Sequence, residues 1–177
     1  MFVLFGHIAN ELSVLGKLHL WSSYSVQQEG VIGQAAITQA LVVARLLASK
    51  LLEAWMAIER TYFGTRLSQE YDKLLSEEGR RALKACSRYF GKSNGLFQTR
   101  NNFGFHYSAD EVHVGLERVS ADEKFHFYLA EERGNNLYYA SETIVGTAMG
   151  SMLGQADVGN GIANLLHDIA TVSMELQ

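Results

Sequence analysis

The chain has 177 residues, 47% of them apolar, with a formal charge of −4, one cysteine and no proline. Such a length and composition predict one globular domain, residues 1–177, whose core closes without disulfides or metals; the lone thiol of Cys86 excludes a disulfide-stapled scaffold and favours a reducing, cytoplasmic setting. Without proline, helices are free to run long, and the negative charge, taken as an average, speaks against nucleic acid as a partner.

Phe5, Ile8, Leu12, Leu15 and Leu18 recur at steps of three and four, which predicts an amphipathic N-terminal helix. Residues 1–5 are apolar but have no basic residue before them, and the apolar tract 35–44 stops at Arg45, far short of the roughly 20 residues of a spanning helix. No membrane association is expected. Residues 22–30 break the first helix. A second carries a stripe of Ile37, Leu41, Ala44, Ala48, Leu51, Trp55, Ile58 and Tyr62, sustained for about seven turns.

A third helix is predicted over about 68–90, with Ser68 as its N-cap and residues 91–95 as its end; Gly79 weakens its middle or breaks it into two pieces. Arg81, Lys84, Arg88 and Lys92, at steps of three, four and four, fall in one stripe opposite Ala82, Leu83, Cys86, Tyr89 and Phe90. The window 79–109 has six basic residues and no acidic one, or +6, whereas the remainder has nine basic against 19 acidic, or −10. Two readings follow for the stripe. It suits a phosphate backbone, or it is a solvated face whose cations pair with carboxylates elsewhere in the fold.

Next comes Arg100-Asn101-Asn102-Phe103-Gly104-Phe105-His106-Tyr107, predicted to lie on a short helix. On a straight α-helix six residues leave Arg100 and His106 about 120° apart in azimuth and about 9 Å apart along the axis. One chain would then not present both on one face, and a second copy across a two-fold near this helix is expected to complete a site. Asn102 and His106, four apart, share a face, so Asn102 is expected to orient the imidazole.

These eight residues resemble the signature of the HEPN superfamily: an arginine, a polar residue beside it and a histidine after four to six intervening residues, within a helical domain. Phe105 and Tyr107 look like the aromatic flanks of that group. The resemblance implies an up-and-down helical bundle, a symmetric dimer and metal-independent endoribonuclease activity in toxins or antiviral defence. In that chemistry an RNA 2'-hydroxyl attacks the neighbouring phosphate; His106 is the acid or base, Arg100 holds the phosphate, and Asn101 supports them, with Asn102 and Tyr107 as flanking support. Arg81, Lys84, Arg88 and Lys92 would guide the RNA, no metal or other cofactor is implied, and a toxin of this kind would have a nucleotidyltransferase-like antitoxin as partner. The alternative is a non-catalytic module of the same type that binds a partner protein or nucleic acid.

Ser108 and Glu111 form a capping box that starts a further helix. Phe125, Phe127 and Leu129 alternate with His126, Tyr128 and Ala130, and with Leu137, Tyr138 and Tyr139 they read as a small β-hairpin near 124–140. Ser120 and Glu123 also make a capping box, so a helix ending at Gly134 competes. Two C-terminal helices are predicted over about 142–153 and 158–176, the latter capped by Asp157. Gly146, Gly150 and Gly154 make a small-residue face for close helix approach, within the chain or across a dimer. Gly91-Lys92-Ser93 lacks the upstream glycine of a phosphate loop, and Glu123-His126 and His113-Glu117 lack partners for a metal site. The predicted fold is mainly α, an up-and-down bundle with that small hairpin attached.

Overall fold

A computed structural model describes residues 2–153 and 157–176. Its helices are α1 (Phe2–Tyr24), α2 (Gly30–Thr61), α3 (Arg66–Tyr71), α4 (Glu77–Phe90), α5 (Gly95–Thr99), α6 (Ala109–Arg118), α7 (Tyr139–Met152) and α8 (Val158–Leu176). A π turn, Arg100–Gly104, continues α5, and a 3-10 turn spans Arg133–Asn135. The mainly helical bundle expected from the sequence forms, and no strand occurs among the described residues.

α2 is the axis of the bundle, because its apolar stripe continues for most of its length and every helix but α3 and α6 packs against it. Leu47, Ala48 and Leu51 belong to one core cluster with Leu12 of α1, Leu96 of α5, Phe103 of the π turn, Met149 of α7 and Leu165 and Ile169 of α8. Each large side chain buried here contributes roughly 1.5–3 kcal/mol. Trp55 stacks on Phe90 with ring centroids 5.3 Å apart, tying α4 to the same axis. α2 begins seven residues before Ile37, at Gly30, whose φ of 68° reverses the chain after α1 without a Cβ clash. By length and composition α2 could cross a bilayer; about a third of its most apolar window is buried inside the bundle, and the rest is not.

The long third helix is two helices. Its break falls at residues 72–76 rather than at Gly79, because two hydroxyls cap new starts: Thr65 Oγ1 accepts from the Ser68 amide at 3.3 Å, and Ser76 Oγ accepts from the Gly79 amide at 3.0 Å. Thr65, not Ser68, is therefore the cap of α3. Tyr62 Oη donates to Asp72 at 2.6 Å and pins the connection. α4 ends at Phe90, so Lys92 lies beyond the helix that the stripe was expected to share. Ser108 caps α6 as predicted, accepting from the Glu111 amide, and Asp157 accepts from the Gly159 amide at the start of α8.

The expected hairpin reduces to one antiparallel bridge between Tyr128 and Leu137, with N···O distances of 2.8 and 2.9 Å. Phe125, Phe127 and Leu129 remain exposed. Their alternation finds no second layer to bury against, so the pairing does not spread. The competing helix does not form either, since Ser120 Oγ takes the Asp122 amide in a turn. The small-residue face is consumed inside the chain: a Cβ at Gly150 would press on the Val158 backbone, and one at Gly161 would overlap the Gly150 carbonyl. Gly154 lies outside the described residues.

Candidate active site

α5 is only five residues long and is capped by Asn94, whose Oδ1 accepts from the Phe97 amide at 2.9 Å. Leu96 and Thr99 anchor it in the core, and the chain then widens into the π turn, closed by the Phe105 amide on the Arg100 carbonyl at 3.2 Å. Phe103 goes inward and is buried, while Phe105 and His106 stay on the surface as the backbone bends away.

The guanidinium of Arg100 is the hub of the site. Nη1 donates to Asn101 Oδ1 at 2.9 Å and lies 3.3 Å from His106 Nε2; Nη2 donates to Glu53 Oε1 at 2.9 Å. Its Cζ sits 5.9 Å from the centroid of the Phe105 ring, within reach of a cation–π contact. Its Nε is buried with no hydrogen-bond partner. Since arginine is always a donor, His106 must accept through Nε2, which places the ring proton on Nδ1 in this arrangement. A basic lone pair and a fixed cation are thus side by side on the protein surface.

This overturns one expectation. Arg100 and His106 do meet within one chain, because the helical wheel stops at Gly104: the bend at Phe105 and His106 removes the imidazole from the azimuth of a continuing α-helix, and the long arginine arm covers the rest. A second copy is not needed to bring the pair together. Asn102 differs as well. Its Nδ2 donates to the Gln98 carbonyl at 3.0 Å and contacts Met152 Sδ at 3.2 Å, so it faces inward and does not orient the imidazole. Tyr107 is 90% exposed.

Glu53 is the residue that motif reading passes over. It belongs to a row on α2 at steps of four: Arg45 makes a two-pronged ion pair with Glu142 of α7, at 2.9 and 3.1 Å; Ser49 donates to the Arg45 carbonyl at 2.7 Å; Glu53 holds Arg100. Gly104 packs onto the middle of this row, where a Cβ would overlap Ser49 Oγ. The signal in the sequence is the four-residue spacing of Arg45, Ser49 and Glu53 beside the apolar stripe of α2, but a partner 47 residues away cannot be read from spacing.

The basic stripe lies on α4 and just beyond its end, and α4 packs against α8 and α2. Arg81 has only a loose, exposed pairing with Glu78 at 3.8 Å, and its neighbour Arg80 donates to the Asp72 carbonyl. Lys84 is exposed. Arg88 and Lys92 border a cleft of about 440 Å³ whose other wall is α8, including Asp168 and Glu175. Those carboxylates face the same cleft, and Asp168 also accepts from Tyr89 Oη at 2.7 Å. Cys86 is buried in the wall of that cleft; burial, and then the charge of Glu175, push its thiol up to about 11. His113 and Glu117 pair with each other at 3.3 Å on an exposed turn. No cluster of three or more His, Cys, Asp or Glu side chains placed to hold a metal occurs among the described residues.

No family model, curated protein or solved structure matches the chain.

Proposed function

We propose that the chain is a metal-independent endoribonuclease of HEPN type, of the kind that serves as a toxin or defence effector. The contact of Arg100 Nη1 with His106 Nε2 at 3.3 Å, open to solvent, is the observation that supports this reading. His106 Nε2 takes the proton of a 2'-hydroxyl as that oxygen attacks phosphorus. The bond from phosphorus to the 5'-oxygen breaks, leaving a 2',3'-cyclic phosphate on one fragment and a 5'-hydroxyl, protonated from solvent or the imidazolium, on the other. Nε2 has a single lone pair, so the 2'-hydroxyl takes the place of Arg100 Nη1 on it before the proton moves, and the protonated Nε2, now a donor, keeps the two apart. The freed Nη1 hydrogen then turns to the phosphate oxygen on which charge is growing. Asn101 keeps the guanidinium aligned through Nη1. Arg81, Lys84, Arg88 and Lys92 guide the RNA backbone from outside the site.

One observation favours the second reading, a non-catalytic binding module: Glu53 already neutralises Arg100. Cleavage of RNA by purified protein in excess EDTA separates the two. Wild type should cleave, and His106→Ala and Arg100→Ala should each lose about 100-fold or more. Equal cleavage by all three would remove the site from consideration, and RNA binding without cleavage by wild type would select the binding module.

A further inference from the structure

We infer that the α1–α2 hairpin docks, face to face, on the same hairpin of a second copy of this chain. Between Lys17 and Arg45 the only residue of the Asp, Glu, Lys and Arg types is Glu29, at the hairpin turn. Val14, Leu18 and Trp21 follow each other at four and three residues along α1, and Ile32, Val42 and Leu46 share one side of α2; all six side chains are exposed. Trp21 alone is 66% exposed. Val14 and Leu46 line a common apolar groove of about 410 Å³, so the two stripes form one continuous face. The exposed parts of these six side chains come to on the order of 500 Å², most of the roughly 800 Å² that each partner contributes to a standard interface.

The character of the face selects the occupant. A bilayer surface is met by several unpaired lysines and arginines along the polar side of an apolar stripe; residues 18–44 contain neither, and of the cations nearest the face Arg45 is tied to Glu142 and Lys50 to Glu11, which leaves Lys17. The turn itself, with Ser22, Ser23, Ser25, Gln27, Gln28 and Glu29, is too polar to lead an insertion into lipid. At the other end of the groove both signs of charge occur together, in the Glu11–Lys50 ion pair at 2.9 Å, with each side chain about one-third exposed. Across a two-fold axis such a pair is self-complementary, since each copy offers a cation to the other's carboxylate and a carboxylate to the other's cation. This puts the two-fold on the hairpin and not on the segment that carries Arg100 and His106, and it holds whether or not the chain cleaves RNA.

Sedimentation equilibrium of the purified chain at tens of micromolar tests it. Wild type should have the mass of a dimer, twice 19.7 kDa. Leu18→Glu and Val42→Glu, one on each helix, should each raise the dissociation constant about 100-fold or more with an unchanged helical circular dichroism spectrum. Leu74→Glu, at a 76% exposed position between α3 and α4, should leave the dimer intact. A monomeric wild type overturns the inference, as do variants that remain dimeric or a monomer that sediments with phosphatidylcholine vesicles.

Discussion

At the scale of the residue, Glu53 decides how much of the Arg100 charge a phosphate can use. The pair is only partly exposed, and the carboxylate both positions the guanidinium and cancels it. Glu53→Gln keeps an acceptor for Nη2 but removes the negative charge. RNA should then bind a few-fold more tightly, visible as a lower KM, with kcat nearly unchanged. Glu53→Ala removes the anchor too, and kcat should fall about tenfold as the guanidinium loses its place. Equal effects of the two substitutions would show that Glu53 has no part in placing the arginine. Buried acids make a second test. Burial raises the Cys86 thiol to about 11, and burial followed by the hydrogen bond to Asp168 raises the Tyr89 phenol well above its ordinary value. The unfolded chain therefore releases these protons at lower pH than the folded one, so their contribution is complete below about pH 9 and is lost as pH rises towards 11 and beyond. Thermal melts should show the midpoint falling across that window, less steeply in Cys86→Ala. The same burial predicts that Cys86 reacts with iodoacetamide at pH 8 far more slowly in the native chain than in urea.

Among the elements, the π turn and the row Arg45, Ser49 and Glu53 act as one piece, since Gly104 lets the turn lie directly on Ser49. Gly104→Ala places a methyl group where Ser49 Oγ stands, and either the turn or the serine must move. The expected cost is about 1–3 kcal/mol, with cleavage falling more than stability because the turn carries both Arg100 and His106. Restoring activity in Gly104→Ala with Ser49→Ala would identify the overlap as the cause; no recovery would mean that the glycine matters for another reason. What could be read beforehand follows from how local each signal is. The Ser108 and Asp157 caps and the long stripe of α2 depend on neighbours within one or two turns, and they were legible. The widening at Arg100–Gly104 was not, because an α-helical wheel assumes the repeat that the π turn breaks. The place where α3 gives way to α4 was hidden among three hydroxyl residues, Thr65, Ser68 and Ser76, any of which can cap a helix; Thr65 and Ser76 do so, and Tyr62 reaching Asp72 pins the connection.

For the whole molecule, the fold was legible because one helix collects nearly all the others: a stripe as long as that of α2 needs partners on several sides, and the remaining amphipathic segments can only supply them by packing around it. The partners themselves were not legible. Nothing local to Glu53, Arg45 or Tyr89 announces Arg100, Glu142 or Asp168; the first two of these long-range pairs join the site to the bundle, and the third ties α4 to α8. Stability and chemistry should therefore separate by side of α2. Leu51 is completely buried, and its position two residues from both Ser49 and Glu53 turns it roughly 160° away from the row that holds the π turn. Leu51→Ala leaves a cavity in the core at a cost of about 2–5 kcal/mol, which for a chain of this length lowers the Tm by about 5–15 °C. Cleavage per folded molecule at 25 °C should nonetheless stay within about twofold of wild type, as the row at 45, 49 and 53 keeps its partners. A variant that melts lower and also loses cleavage in proportion, while still folded at the assay temperature, would show that the core side of α2 sets the geometry of the site as well.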